Sequence, residues 1–134
     1  MTKQREIKFR AWDKKEEKMF EVWELKGIWS DPEPRDAMVV LWNDTGDEES
    51  NTKEIFLMDT ILMQYTGVKD KNGKEIWEGD IVEFNYGSLG SFQEQIQFID
   101  GGFWIKRKDG SSFMPSEDVR EVIGNIYENP ELLK

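Results

Sequence analysis

Residues 62–82 constrain this chain more than any other stretch. An apolar run, Leu62 to Gly67, leads through Val68-Lys69-Asp70-Lys71 to Asn72-Gly73, and a second apolar run follows from Ile76. Asn-Gly between two apolar runs is a β-hairpin signal, because a two-residue type I′ turn needs positive φ at both central positions. The pattern predicts a strand over 61–67, a type I′ turn at Asn72-Gly73, and a continuous return strand over 76–86 that passes through Gly79-Asp80. A chain organised around this unit is β-rich.

The same period-2 logic extends both ways. Ile7, Phe9 and Ala11 alternate with Lys8, Arg10 and Trp12. After the polar break at 13–17, Met19 to Leu25 alternates again, with Phe20 and Val22 on one side and Met19, Trp23 and Leu25 on the other. Together they predict an N-terminal hairpin. Pro32 and Pro34 place 30–36 in a loop. Ala37 to Trp42 reads as a short buried strand. Residues 43–53 are polar and acidic and read as a loop between subdomains. Phe92 to Ile99 and Phe103 to Lys108, joined at Asp100-Gly101-Gly102, predict another hairpin. Asp109-Gly110 is a further turn, and 114–118 one helical or 3-10 turn. Val119 to Tyr127 is a last strand.

The expected fold class is therefore all-β: an N-terminal β-hairpin region, residues 1–58, with an acidic loop near 43–53, and a C-terminal small SH3-like, partly open β-barrel, residues 59–134.

Composition narrows the chemistry. Cys and His are both absent, which removes disulfides, thiol nucleophiles, Cys/His zinc sites and imidazole acid–base catalysis. No apolar run reaches the roughly 20 residues of a membrane span, and residues 1–10 have no signal-peptide core. The expectation is a cytoplasmic protein with no membrane association. The net charge of −10 sets the chain against nucleic-acid phosphate. Nucleic acid is an unfavoured partner, a basic protein surface an easier one, and solubility alone accounts for such a charge.

Several stretches resemble a known family: Lys8-Phe9-Arg10-Ala11-Trp12-Asp13, Leu62-Met63-Gln64-Tyr65-Thr66-Gly67, Lys69 to Ile76, Glu78-Gly79-Asp80-Ile81-Val82, and Val122 to Pro130. On these the chain resembles the YopX family of phage and prophage proteins over nearly its whole length. The resemblance implies a mainly β protein linked to temperate phages and acting in a bacterial host cell. It carries no activity, ligand or catalytic residue onto these positions.

Candidate sites remain few. Asp70, Asn72 and Glu75 suggest a calcium loop, but an EF-hand loop starting at Asp70 would need Gly where Glu75 stands. Asp44, Asp47, Glu48 and Glu49 read as a solvated loop rather than a cation site. Glu78, Asp80 and Glu83 lack a converging partner for acid–base work. Lys106, Arg107 and Lys108 beside Phe103 and Trp104 have the basic–aromatic character of a single-strand binder, yet a hairpin with Phe103 and Ile105 inward and its charges in water explains them better. Trp12 and Trp23 are the candidates for an exposed aromatic contact.

The expected interaction surface is Trp12, Trp23, Trp104, Lys106, Arg107 and Lys108. No catalytic residue, metal or cofactor is expected. The preferred function is a non-enzymatic module that binds a host or phage protein, with self-association through the N-terminal strands as a further expectation. A nucleic-acid-associated protein and an acidic DNA mimic rank below it, and a metal-dependent hydrolase ranks last.

Overall fold

The computed structural model describes residues 4–27, 37–42, 51–85, 87–116 and 119–133. The prolines at 32 and 34, the acidic residues at 44, 47, 48 and 49, and Glu117-Asp118 lie outside them. The chain is all-β, as expected, with two antiparallel sheets. One has the strand order β4-β3-β2-β1-β5-β6, the other β10-β9-β8-β7-β11. The second order ends in two different strands, so this sheet does not close into a barrel. Contacts divide the chain into two units, one of residues 8–63 and one of 1–7 with 64–134.

In the first unit, β1 (Phe9–Asp13) and β2 (Lys18–Lys26) form the expected hairpin, with Ala11 opposite Phe20. The buried run is β3 (Met38–Trp42), flanked by β2 and by β4 (Thr52–Phe56). Thr52 and Lys53 thus belong to a strand rather than to a loop. Ala11, Phe20, Val39 and Leu41 form the core, with Val22, Leu25 and Ile55 packed against them.

Leu25 departs from the expected alternation. A register shift between Val22 and Glu24 inserts one extra residue into β2. The bulge reverses the sidedness beyond it. Leu25 therefore stands opposite fully buried Val39, while Trp23 and Glu24 are both exposed.

At the end of the first hairpin, Lys53 Nζ lies 2.8 Å from Glu16 Oε1 and 2.9 Å from Asp13 Oδ2. Asp13 Oδ1 accepts the backbone N–H groups of Lys15 and Glu16. Burial alone would raise the Asp13 carboxyl, but Lys53 and the two N–H groups outweigh it and hold it below the ordinary value.

The second unit contains the motif hairpin. β5 (Thr60–Lys69) begins in the first unit and ends in this one, where it pairs with β6 (Glu75–Trp77). The turn is not the expected type I′. Asn72 is not among the positive-φ residues, and only Gly73 is left-handed, at φ +82°. Lys69 opposite Glu75, with hydrogen bonds from Asp70 N to Lys74 O and from Gly73 N to Asp70 O, defines a three-residue loop. The buried Asp70 carboxylate decides this. Its Oδ1 accepts N–H groups from Asn72 and Lys74, and its Oδ2 accepts that of Val122. Two consecutive positive φ values occur instead at Asp100 (50°) and Gly101 (81°), between β8 (Ser91–Ile99) and β9 (Gly102–Lys106).

Nor is the return strand continuous. Gly79, at φ +85°, breaks it into β6 and β7 (Asp80–Asn85). Asp80 Oδ2 accepts the Trp77 N–H at 2.8 Å and fixes the bend, and β7 joins the second sheet between β8 and β11 (Val119–Asn125). The two-residue β10 (Ser112–Phe113) completes that sheet on β9. Met114, Pro115 and Ser116 form no helical turn, and a 3-10 turn occupies Pro130–Leu133 instead. Val82, Phe84, Ile96, Ile105, Val119 and Val122 make the core of this unit.

Asp70 supplies two predictions. Asp70→Ala leaves three N–H groups without their acceptor and should lower the unfolding free energy in urea by about 3 kcal/mol. The second concerns acid. Asp13 and Asp70 both have folded-state values below their ordinary ones, so the unfolded chain takes up their protons first. The stability they contribute is present above the unfolded aspartate value, about 3.9, and lost as pH falls through the folded values. Urea midpoints should hold from pH 7 to about pH 5 and then decline, with a shallower decline in Asp70→Asn. Parallel profiles for the two proteins would refute the assignment.

Candidate functional site

The outward face of β1–β4 carries the aromatic residues that the core does not use. Strand alternation places Trp12, Val40 and Trp42 on the side away from Ala11, Val39 and Leu41. Trp23 is 66% exposed at the bulge, and its ring lies 5.2 Å from that of Trp42 at an interplanar angle of 31°. Phe56, opposite Met38, is 46% exposed on the same side. Trp12 is half-buried and stands opposite Met19, so Trp23 pairs across the sheet with Trp42 and not with Trp12. Trp42 was missing from the expected surface. A reading of β3 as wholly buried hides it, and only the register of β2 on β3 shows its outward side.

Carboxylates accompany this face. Glu21 stands opposite Trp42, and Glu24 opposite Val40. Both are exposed, and neither has an ion-pair or hydrogen-bond partner among the described residues. Glu54 differs, with Lys26 Nζ 3.5 Å away.

The basic hairpin of the second unit divides into unlike parts. Phe103 and Ile105 pack inward as expected. Lys106 and Lys108 are exposed. Arg107 is not directed into water: its side chain is 16% exposed, its Cζ lies 3.8 Å from the centre of the Phe92 ring, and Nη1 is 3.3 Å from Asp109 Oδ2. Guanidinium stacking on an aromatic face explains the burial. Trp104 donates its indole N–H to Ile99 O at 3.2 Å and is half-buried.

Beside this hairpin runs an open groove of about 990 Å³, with Phe92, Glu94, Arg107, Lys108 and Leu132 among its lining residues. Burial pushes the Glu94 carboxyl above its ordinary range, and Lys108 and Arg107 only partly oppose the shift. Glu94→Gln should therefore stabilise the fold slightly at pH 7, and the gain should vanish below about pH 3, where the carboxyl is protonated in both states. Urea unfolding at the two pH values checks this.

The described acidic candidates each have a backbone or ion-pair partner. Asp70 and Asp80 hold backbone N–H groups, Glu78 Oε1 accepts the Gln64 N–H at 3.3 Å, and Glu83 is 3.7 Å from Arg120. Among the described residues no three Asp or Glu side chains converge to hold a metal ion. No helix among them is long and apolar enough to cross a membrane.

Three comparisons bear on kinship. The sequence profile of the YopX protein family matches residues 8–134. Among solved structures, a crystal structure of protein EF1440 from Enterococcus faecalis is similar over 98% of this chain and 100% of its own, with 29% identity and a TM-score of 0.62. The crystal structure of protein yopX from Bacillus subtilis is similar over 95% of this chain and 98% of its own, with 24% identity and a TM-score of 0.64, a likeness of fold. Nothing among the curated proteins matches. With the profile covering nearly the full sequence, this chain belongs to the YopX family.

Proposed function

We propose that this chain is a non-enzymatic interaction module of a phage or prophage, binding a host or phage protein through the outward aromatic face of its first unit. The observation that carries the reading is Trp23, 66% exposed, with its ring 5.2 Å from that of Trp42. Tryptophan is enriched among residues that dominate binding energy, and it removes a large apolar area from water when a partner covers it. The carboxylates offered for acid–base work are engaged elsewhere, Asp80 by the Trp77 N–H, Glu78 by the Gln64 N–H and Glu83 by Arg120, which supports recognition over catalysis. Arg107, held by Phe92 and Asp109, is a poor phosphate ligand, so nucleic-acid binding stays the lesser reading.

A quantitative pull-down tests the proposal. The purified chain is immobilised and exposed to nuclease-treated host lysate. A near-stoichiometric partner should be retained and should fall about tenfold on Trp23→Ala. Phe98→Ala removes another exposed aromatic, on the second unit, and should leave capture intact. Equal capture by wild type and Trp23→Ala would sink the assignment of this face. Capture that depends on intact nucleic acid would favour the hairpin.

A further inference from the structure

The Trp23–Trp42 face suits one kind of occupant. An exposed indole presents a negative π-face, which attracts a cation and repels an anion. The bulge in β2 puts a carboxylate immediately beside it, because Trp23 and Glu24 both turn to solvent. Glu21, two residues earlier, adds a second. Neither has an ion-pair or hydrogen-bond partner among the described residues. Among the described residues on the same side, Lys26 is paired with Glu54, and Arg10 stands opposite Glu21 in the register. Glu24 has no cation opposite it, since its register partner is Val40.

A planar guanidinium stacks on an indole while its N–H groups reach carboxylates at the ring edge, which a compact ammonium does less well. The chain as a whole, at −10, draws a basic partner towards it and repels phosphate-bearing surfaces. We infer that Trp23, Trp42, Glu21 and Glu24 form a docking site for an arginine side chain carried on a basic segment of a partner protein. The inference rests on the interaction-module reading and supplies the chemistry of that partner. Exposed Phe56, on the same side of the sheet, receives the aliphatic part of the segment.

The test is calorimetric titration of the full chain with an acetylated, amidated hexa-arginine peptide, and with the same peptide in citrulline. Hexa-arginine should bind saturably at one site, and citrulline, isosteric but uncharged, about tenfold more weakly or not at all. Trp23→Ala should weaken hexa-arginine about tenfold. Glu24→Gln should weaken it about threefold and lessen its dependence on salt, and Glu24→Lys should abolish it. Glu24 is an exposed residue at the bulge, so its variants report on binding even if Trp23→Ala unfolds. Failure to bind hexa-arginine overturns the inference, as does equal binding by wild type, Trp23→Ala and Glu24→Lys. The two levels separate cleanly. A Trp23-dependent partner that hexa-arginine does not displace refutes the arginine site and leaves the module reading standing. Absence of any Trp23-dependent partner refutes the module reading itself.

Discussion

The second unit depends on where the Asp70 carboxylate finds its hydrogen bonds. Its Oδ1 closes the β5–β6 turn through Asn72 and Lys74, and its Oδ2 reaches Val122 on β11, 52 residues along the chain. The Lys71 N–H bonds Val119 O on the same strand. A turn that would otherwise point into solvent is thereby stitched to the last strand. A buried carboxylate is costly unless its lone pairs are filled, and three backbone donors fill them. The result is a fixed tether between a local hairpin and a distant strand.

The chain uses the same device repeatedly. Asp13 holds the Lys15 and Glu16 N–H groups, Asp80 that of Trp77, and Asn125 those of Tyr127 and Glu128. Short strands need many turns, and each turn leaves N–H groups that the ladders do not satisfy. Asp80, one of the carboxylates that suggest acid–base chemistry in a bare sequence, meets this requirement at Trp77. The device also explains why the motif residues 69–82 read so strongly as architecture and so weakly as chemistry.

Local period and turn chemistry made the strands legible: the first hairpin, the buried β3, the β8–β9 pair and the all-β class follow from alternation and glycines alone. What was not legible depended on contacts across the sheet. The left-handed pair could sit at Asn72-Gly73 or at Asp100-Gly101, and the Asp70 carboxylate excludes the first by closing a longer loop there. The break at Gly79 looked like a strand interior because Glu78-Gly79-Asp80 lies between apolar residues. Only the bond from Asp80 to Trp77 shows the bend that moves β7 to the other sheet. Of the expected surface, Trp23 was legible as an exposed aromatic. Trp42 was not, since five consecutive apolar residues conceal which side each one faces. Arg107 was hidden in the same way: nothing in Lys106-Arg107-Lys108 shows that Phe92, on the neighbouring strand, will take the middle cation.

The bulge in β2 has a structural cause that does not extend to Trp23. Reversing the alternation brings Leu25 onto Val39 in the core, and burial of a leucine contributes about 1.5–3 kcal/mol, enough to offset a disrupted ladder position. That gain requires an extra residue at 23 but places no demand on its identity. A polar side chain there would serve the core equally and would avoid an exposed apolar ring. The indole is also more than the isolated exposed apolar residue that any surface tolerates, because its ring lies 5.2 Å from that of Trp42 and it neighbours two carboxylates without an ion-pair or hydrogen-bond partner among the described residues. The fold accounts for the bulge, and the bulge accounts for the position of residue 23. The fold does not account for the tryptophan itself, and the proposed arginine site gives it a role.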